Sequence, residues 1–426
     1  MSRNLPVNAG RIAEDIDALA GITEPSRPWT RRAFSPLFLE GRSYIEARMR
    51  AAGLETRTDA AGNLIGKRRG ALDGLGTIML GSHSDTVPDG GRFDGTAGVV
   101  AALEVARALS DQDIELDHDL EIVDFLAEEV SIFGVSCIGS RGMTGQLPEA
   151  WLSRVTDGRD LAEAIAEVGG RPGVLPQQNR PDIAGFLELH IEQGPVLENE
   201  KKDIGIVTAI AGITRIEIIV EGRADHAGTT PMDSRSDALV AAAQLVLDIR
   251  NAAAARAKTP GHFAATVGEF RIEPNAANVV PSKVVLLIDG RAEVRNDMEA
   301  FCEWLDEHVI KLAIAYGVSI KSPMRVSDNY PTPSDAGLLK TLEEACETVG
   351  AKHRRMASGA GHDMAWIAKV AAAAMIFVPC KEGRSHSADE WAENDDIALG
   401  AAVLFEAVLD MDKSLKQENA DGTHTR

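Results

Sequence analysis

Apolar and polar positions alternate along this chain in two distinct rhythms. Residues 77–80 form a short apolar run that leads into a polar, glycine-containing turn. The same motif returns at 120–126, 186–191 and 373–378, each time as a compact apolar run closed by polar residues or glycine, which predicts buried strands. Residues 96–109 differ: Val99, Leu103, Ala106 and Leu109 are spaced to share one face of a helix. Strands alternating with helices predict an α/β sheet, and ligands in such sheets gather beyond the strand ends.

Between residue 212 and about residue 326 the rhythm changes. Ile216, Ile218 and Val220 alternate with Arg215, Glu217 and Ile219, as in a half-buried strand. An alanine-rich helix is predicted over 236–255, strands over 263–267 and 284–288, and a second helix over 298–315. The order β-α-β-β-α predicts a compact α+β sandwich. The simplest organisation is a catalytic domain at 1–211 that resumes at 329–426, interrupted by an inserted domain at 212–328. The polar tail from residue 413 to residue 426 is expected to fray.

Composition narrows the field without naming a chemistry. A length of 426 residues, 44% hydrophobic and 26% charged, suits a globular protein of two domains. A net charge of −21 argues against nucleic-acid and anionic-membrane partners, while leaving room for a local cationic pocket. The cysteines Cys137, Cys302, Cys346 and Cys380 are far apart, with no C-x-x-C pair, as expected for free thiols in a reducing compartment. The start, Met1-Ser2-Arg3-Asn4-Leu5-Pro6, lacks the apolar core of a signal peptide. The longest apolar run, 370–378, falls short of the ~20 residues a bilayer requires. A cytoplasmic location is expected.

The chemistry concentrates where the predicted strands end. His83 and Asp85 follow the first run, and Asp94 lies in a glycine-flanked turn just beyond. Glu128 and Glu129 close the second run, His190 sits near the end of the third, and His386 lies in the turn after the fourth. Three imidazoles with two or three carboxylates suit one or two borderline divalent ions. Asp85 is placed to accept the second N–H of the His83 ring and fix its tautomer. Asp94 can offer both oxygens and so bridge two ions. Neighbouring acids at a strand end point in different directions, so one of the Glu128–Glu129 pair can ligate while the other faces a water.

These segments, with Gly81 to Pro88, Phe93-Asp94-Gly95, His190 to Gly194, Ala224 to Met232, Pro274 to Pro281 and Ser358 to Asp363, resemble the M20 metallopeptidase superfamily, in its amidase/carbamoylase branch. The similarity covers nearly the whole chain. It implies a mixed-sheet zinc-peptidase-like catalytic domain with an inserted α+β sandwich lid that forms a homodimer. It implies two divalent ions per subunit, Zn²⁺ favoured, with Mn²⁺, Co²⁺ or Ni²⁺ also compatible. His83, Asp94 and His190 would hold one ion, and Asp94, Glu129 and His386 the other. Glu128 would be the general base, acting on a water whose pKa falls from ~15.7 to near ~7 on an ion.

The resemblance further implies that His226 reaches the active site of the partner subunit and stabilises an oxyanion. Gln193, Asn278 and Arg291 would recognise the substrate, Arg291 through a carboxylate, with His362 and the backbone of Gly359 and Ala360 beside it. The implied reaction is hydrolysis of the linear C–N bond of an N-carbamoyl-L-amino acid or related ureido acid through a metal-bound hydroxide. Allantoate amidohydrolase or ureidopropionase specificity, and an N-acyl-amino-acid deacylase or dipeptidase, are the alternatives. The chain departs from the commoner pattern at Arg384 and Ala388, where many relatives have an aliphatic residue and a proline. Arg384 is expected either to pair with a nearby acid or to add positive charge to the substrate pocket.

Overall fold

The computed structural model describes residues 5–421. The chain divides into two compact units: Met1–Thr208 with Ser334–Arg355 and His362–Arg426, and Ala209–Pro333 with Met356–Gly361. The short segment Met356–Gly361, expected with the catalytic residues, therefore belongs to the second unit.

The first unit is built on a mixed sheet. Its strands lie in the order Glu55–Thr58, Leu64–Arg68, Asp119–Phe125, Thr77–His83, Ile183–Ile191, Ala373–Val378 and Ile204–Ile210, and short strands Thr332–Pro333 and His353–Ser358 pair with the last of these. The four from Asp119–Phe125 to Ala373–Val378 are parallel to one another, and the flanking strands run antiparallel. Every residue of Thr77–His83 and of Ala373–Val378 is buried. This explains their unbroken apolar runs, because parallel strands covered on both faces need no polar alternation.

One face is covered by helices Ala9–Gly21, Thr96–Asp111, Ala336–Thr348 and Asn394–Asp421, which join one large core with Leu80, Ile122, Leu189 and Ile376. Beneath residues 126–127, Phe34, Phe38, Phe133, Ile138 and Leu161 form a second cluster. Local chemistry sets the helix starts: Asn8 accepts from Gly10 and Arg11 N–H, Ser35 from Phe38 N–H ahead of Pro36, and Asp335 from Leu338 N–H. The tail expected to fray from residue 413 continues instead as helix through Asp421, and residues 422–426 lie outside the described residues. Met411 is fully covered, which anchors that last helix from within.

The second unit is a two-layer α+β sandwich. Its sheet runs Phe263–Glu273, Lys283–Ala292, Gly212–Glu221 and Ser319–Ile320, all antiparallel, with Met324–Asp328 also paired to Gly212–Glu221. Helices Ala238–Arg256 and Arg295–Tyr316 pack on one face, burying Ala241, Leu245, Phe301 and Leu305 against Ile216, Ile218, Leu286 and Ile288. Phe263–Glu273 outlasts the expected strand at 263–267 because a register shift between Val267 and Glu269 interrupts the alternation there. Among the described residues, one helix, Ala238–Arg256, is long and apolar enough, by length and composition, to cross a membrane. Here Ala241, Leu245 and Ile249 pack it onto the sheet.

Candidate active site

Parallel strands deliver the first donors. His83 is the last residue of its strand, His190 is next to last in the neighbouring strand, and Glu128 and Glu129 follow the end of Asp119–Phe125 on the other side. Asp94 comes from the turn before helix Thr96–Asp111, and His386 from the loop after Ala373–Val378. Six residues from five separate segments thus gather beyond the strand ends of one sheet, five of them as potential metal donors. Their donor atoms form two groups, His83 with Asp94 and His190, and Asp94 with Glu129 and His386.

The carboxylate of Asp94 faces both groups at once. Its Oδ1 lies 3.3 Å from His190 Nε2 and 3.6 Å from His83 Nε2, and its Oδ2 lies 3.5 Å from His386 Nε2. His386 Nε2 is 3.0 Å from Glu129 Oε1. Two donors held ~2.1 Å from one tetrahedral ion are themselves ~3.4 Å apart, so these separations fit metal ligation. The tautomers fit as well. His83 Nδ1 lies 3.1 Å from the main-chain carbonyl of Asp85, and His190 Nδ1 lies 2.9 Å from that of Ile191, so both rings donate backward and turn an Nε2 lone pair inward. His83 Nε2 is buried without a hydrogen-bond partner, a loss of ~1–3 kcal/mol that a cation would remove.

Among the described residues no lysine or arginine pairs with Asp94, Glu128 or Glu129; the basic groups that pair with them are imidazoles. Burial pushes the Glu128 carboxyl well above its usual range, with the charge of His83 opposing and that of Glu129 adding to the rise. Burial lowers the His83 imidazole, yet Glu128, Asp85 and Asp94 together lift it well above its ordinary value. Hydrogen bonds to Asp94 and Glu129 raise His386 to about 10. Among the described residues the cluster is short of positive charge.

Asp85 faces the His83 ring with two acceptors, its main-chain carbonyl 3.1 Å and its carboxylate 3.5 Å from Nδ1. The carboxylate also accepts the backbone N–H of Glu128 at 3.2 Å and of Glu129 at 3.3 Å. It therefore fixes the peptide from which both acids project. Gly95 is required by its surroundings: its φ is +61°, and a Cβ there would run into the His83 ring.

The remaining candidates fall into two places. In the first unit, Gln193 donates from Nε2 to Asp94 Oδ2 at 2.7 Å, and its Oε1 is buried without a partner. His362 is buried edge-on to His190, with ring centroids 4.6 Å apart, and burial followed by the charge of His190 drives its pKa well down. In the second unit, Arg291 donates to Asp289 at 2.8 Å and to the carbonyl of Gly359 at 2.6 Å, and Ala360 N–H donates to Ser358 Oγ at 3.1 Å. His226 is exposed, bridged to Val279, and its Nδ1 accepts from Gly228 N–H at 3.0 Å, which leaves Nε2–H facing outward as a donor. Asn278 is exposed on the loop bridged to that turn, its carbonyl accepting from Ala227 N–H. Arg384 pairs with Asp389 at 2.8 Å, the first of its two expected fates.

Several supporting residues escaped the sequence reading. Glu188 is fully buried, accepting from Ser82 Oγ at 2.8 Å and Met364 N–H at 3.0 Å. It precedes His190 by two in a strand, so alternation places both on one face, and that was the available signal. Cys137 Sγ lies 3.4 Å from Glu128 Oε1. Arg235 ties the His226 turn by donating to the carbonyls of Ala227 and Thr230. Ser385 and Glu390 contact Asp94, and burial with the charge of Asp94 lifts Glu390 to about 7. No spacing rule distinguishes such acids from solvated surface.

Imidazoles and carboxylates grouped beyond the parallel strands of a mixed α/β sheet are the donor set a metal-dependent hydrolase would use. Residues 79–410 match the peptidase family M20/M25/M40. An N-carbamoyl-L-amino-acid amidohydrolase of Paenarthrobacter aurescens is 36% identical over 416 residues, covering 95% of this chain and 98% of that protein. Allantoate amidohydrolase of Bacillus subtilis (strain 168) is 35% identical over 382 residues, covering 88% and 90%. The crystal structure of an amidase of the hydantoinase/carbamoylase family from Burkholderia multivorans has a TM-score of 0.89 at 35% identity, covering 95% of this chain and 98% of that one. The chain belongs to the peptidase family M20/M25/M40 and is a hydrolase.

Proposed function

We propose that this hydrolase cleaves the linear C–N bond of an N-carbamoyl-L-amino acid or a closely related ureido acid, releasing the amino acid, ammonia and carbon dioxide. The observation that carries the reading is the two-sided placement of Asp94, with Oδ1 toward His83 and His190 and Oδ2 toward His386. In this reading His83, Asp94 and His190 hold one divalent ion, and Asp94, Glu129 and His386 a second, with Zn²⁺ preferred and Mn²⁺, Co²⁺ or Ni²⁺ compatible. Bound ions there acidify water and polarise the scissile carbonyl.

Glu128 takes a proton from the attacking water and returns it to the departing nitrogen. Its carboxylate lies against the first donor group, with Oε2 3.6 Å from His83 Nε2, yet belongs to neither group, which leaves it to handle protons. Arg291 and the backbone at Gly359 and Ala360 receive the substrate carboxylate, and Gln193, Asn278 and His362 orient the rest. His226 serves a partner subunit in a homodimer formed by the second unit, its Nε2–H donating to the developing oxyanion. Four free, buried cysteines support a reducing, cytoplasmic setting.

A second reading, allantoate as the substrate, is favoured by the similarity to the Bacillus subtilis enzyme. The test is an ammonia-release screen. Chelator-treated protein is supplied with each of the four ions and offered N-carbamoyl-L-amino acids, allantoate, 3-ureidopropionate and N-acyl amino acids. Ammonia from carbamoyl substrates is expected. Turnover of N-acyl amino acids, without ammonia from any ureido acid, would overturn the proposal in favour of a deacylase.

A further inference from the structure

Glu390 lies four residues beyond His386 and is 2% exposed. Its Oε1 accepts the backbone N–H of Phe93 at 2.8 Å and of Asp94 at 3.0 Å. Its Oε2 lies 2.7 Å from Ser385 Oγ, and that hydroxyl is 2.8 Å from Asp94 Oδ2. One carboxylate therefore holds the backbone of the Asp94 turn and, through Ser385, the loop that presents His386. The fold makes room for it at Gly91, where a Cβ would overlap the Glu390 carboxylate. Among the described residues no cation pairs with Glu390. Its burial is compensated by hydrogen bonds that all lead to these two loops, so it serves the loops and not a salt bridge.

We propose that Glu390 is a positioning residue that fixes the separation between Asp94 and His386 and so sets the geometry of the second ion site. The inference rests on reading Asp94 and His386 as ligands. Two of the three donors in the Asp94–Glu129–His386 group stand on segments that Glu390 joins. Asp94 also serves the first group, but there its two companions, His83 and His190, are held by strands Thr77–His83 and Ile183–Ile191, so only one donor of three depends on Glu390. Loss of Glu390 should accordingly weaken the two sites unequally.

The experiment is titration of Zn²⁺ into chelator-treated protein by calorimetry against a competing chelator. It uses the wild type, Glu390→Ala, Glu390→Gln and Glu390→Asp, with far-UV circular dichroism to verify folding. Wild type should bind two ions, and His386→Ala should abolish one of them. If that pair fails, the ligand reading itself falls. Given that pair, Glu390→Ala should weaken the ion lost in His386→Ala by about 10–100-fold, the usual effect of removing a group that orients ligands. The other ion should change less than about threefold by the same reasoning. Glu390→Gln keeps an oxygen for both N–H groups and should restore binding. Glu390→Asp, too short to reach, should behave like the alanine variant and replaces it should alanine not fold. Equal weakening of both ions, wild-type affinity in the folded alanine or aspartate variant, or failure of glutamine to restore binding would overturn the proposal.

Discussion

Replacing Glu128 by Gln separates catalysis from metal binding and from stability in one variant. Glu128 is buried, with Oε2 3.6 Å from His83 Nε2, yet it belongs to neither donor group. Its amide isostere fills the same space and keeps an acceptor for Cys137, whose Sγ lies 3.4 Å from Oε1. Zn²⁺ content should therefore stay at the wild-type level. What disappears is the base: a positioned carboxylate contributes ~10²–10⁴-fold, and at ~1.36 kcal/mol per decade its loss adds roughly 2.7–5.5 kcal/mol to the barrier. Stability should move the other way. Burial, aided by the charges of Glu129, Asp363 and Asp85 and opposed by that of His83, disfavours the Glu128 carboxylate, so a neutral isostere should raise the Tm of chelator-treated protein or leave it unchanged. The assay is kcat from ammonia release, metal content by mass spectrometry and Tm by calorimetry, all on one preparation. A kcat within threefold of wild type at full metal content would refute the reasoning, and so would loss of metal in proportion to activity.

Other outcomes follow from the same geometry. Gly95→Ala combines a φ of +61° with a Cβ directed into the His83 ring; it should cost ~1–3 kcal/mol and lower Zn²⁺ stoichiometry, and full stoichiometry would contradict the packing. Leu189→Ala empties a fully buried position beside His190 and should cost ~2–5 kcal/mol in urea unfolding; a cost under 1 kcal/mol would show that the core there can collapse. Zn²⁺ at a hundredfold over its Kd should stabilise the chelator-treated protein by ~2.7 kcal/mol, and an unchanged unfolding midpoint would argue against a resident ion. Mixed His226→Ala and Glu128→Gln subunits should regain activity as heterodimers. No rescue after verified subunit exchange would remove His226 from a shared site.

How much of this was legible before the structure depends on which kind of information each feature uses. The four central parallel strands announced themselves because burial on both faces leaves unbroken apolar runs, and Ala373–Val378 matched to the residue. The donors were legible because histidines and acids at strand ends carry few other obligations. Strand ends drifted where register shifts break the alternation, as after Val267. The tail misled because polar composition resembles fraying, whereas Met411 anchors the helix from within. The roles of Asp85 and Glu390 were hidden for a deeper reason. Their partners are backbone N–H groups, which every sequence supplies at every position, so only coordinates reveal which ones converge.

The strand Ala373–Val378 lies between Ile183–Ile191 and Ile204–Ile210, although it comes late in the chain. By residue 210 the chain has supplied His83, Asp94, Glu129 and His190, and His386 comes 176 residues later. The strand before it pairs parallel to one neighbour and antiparallel to the other. The first triad is therefore drawn from residues 83–190 alone, whereas the second joins that stretch to the far end of the sheet's sequence order.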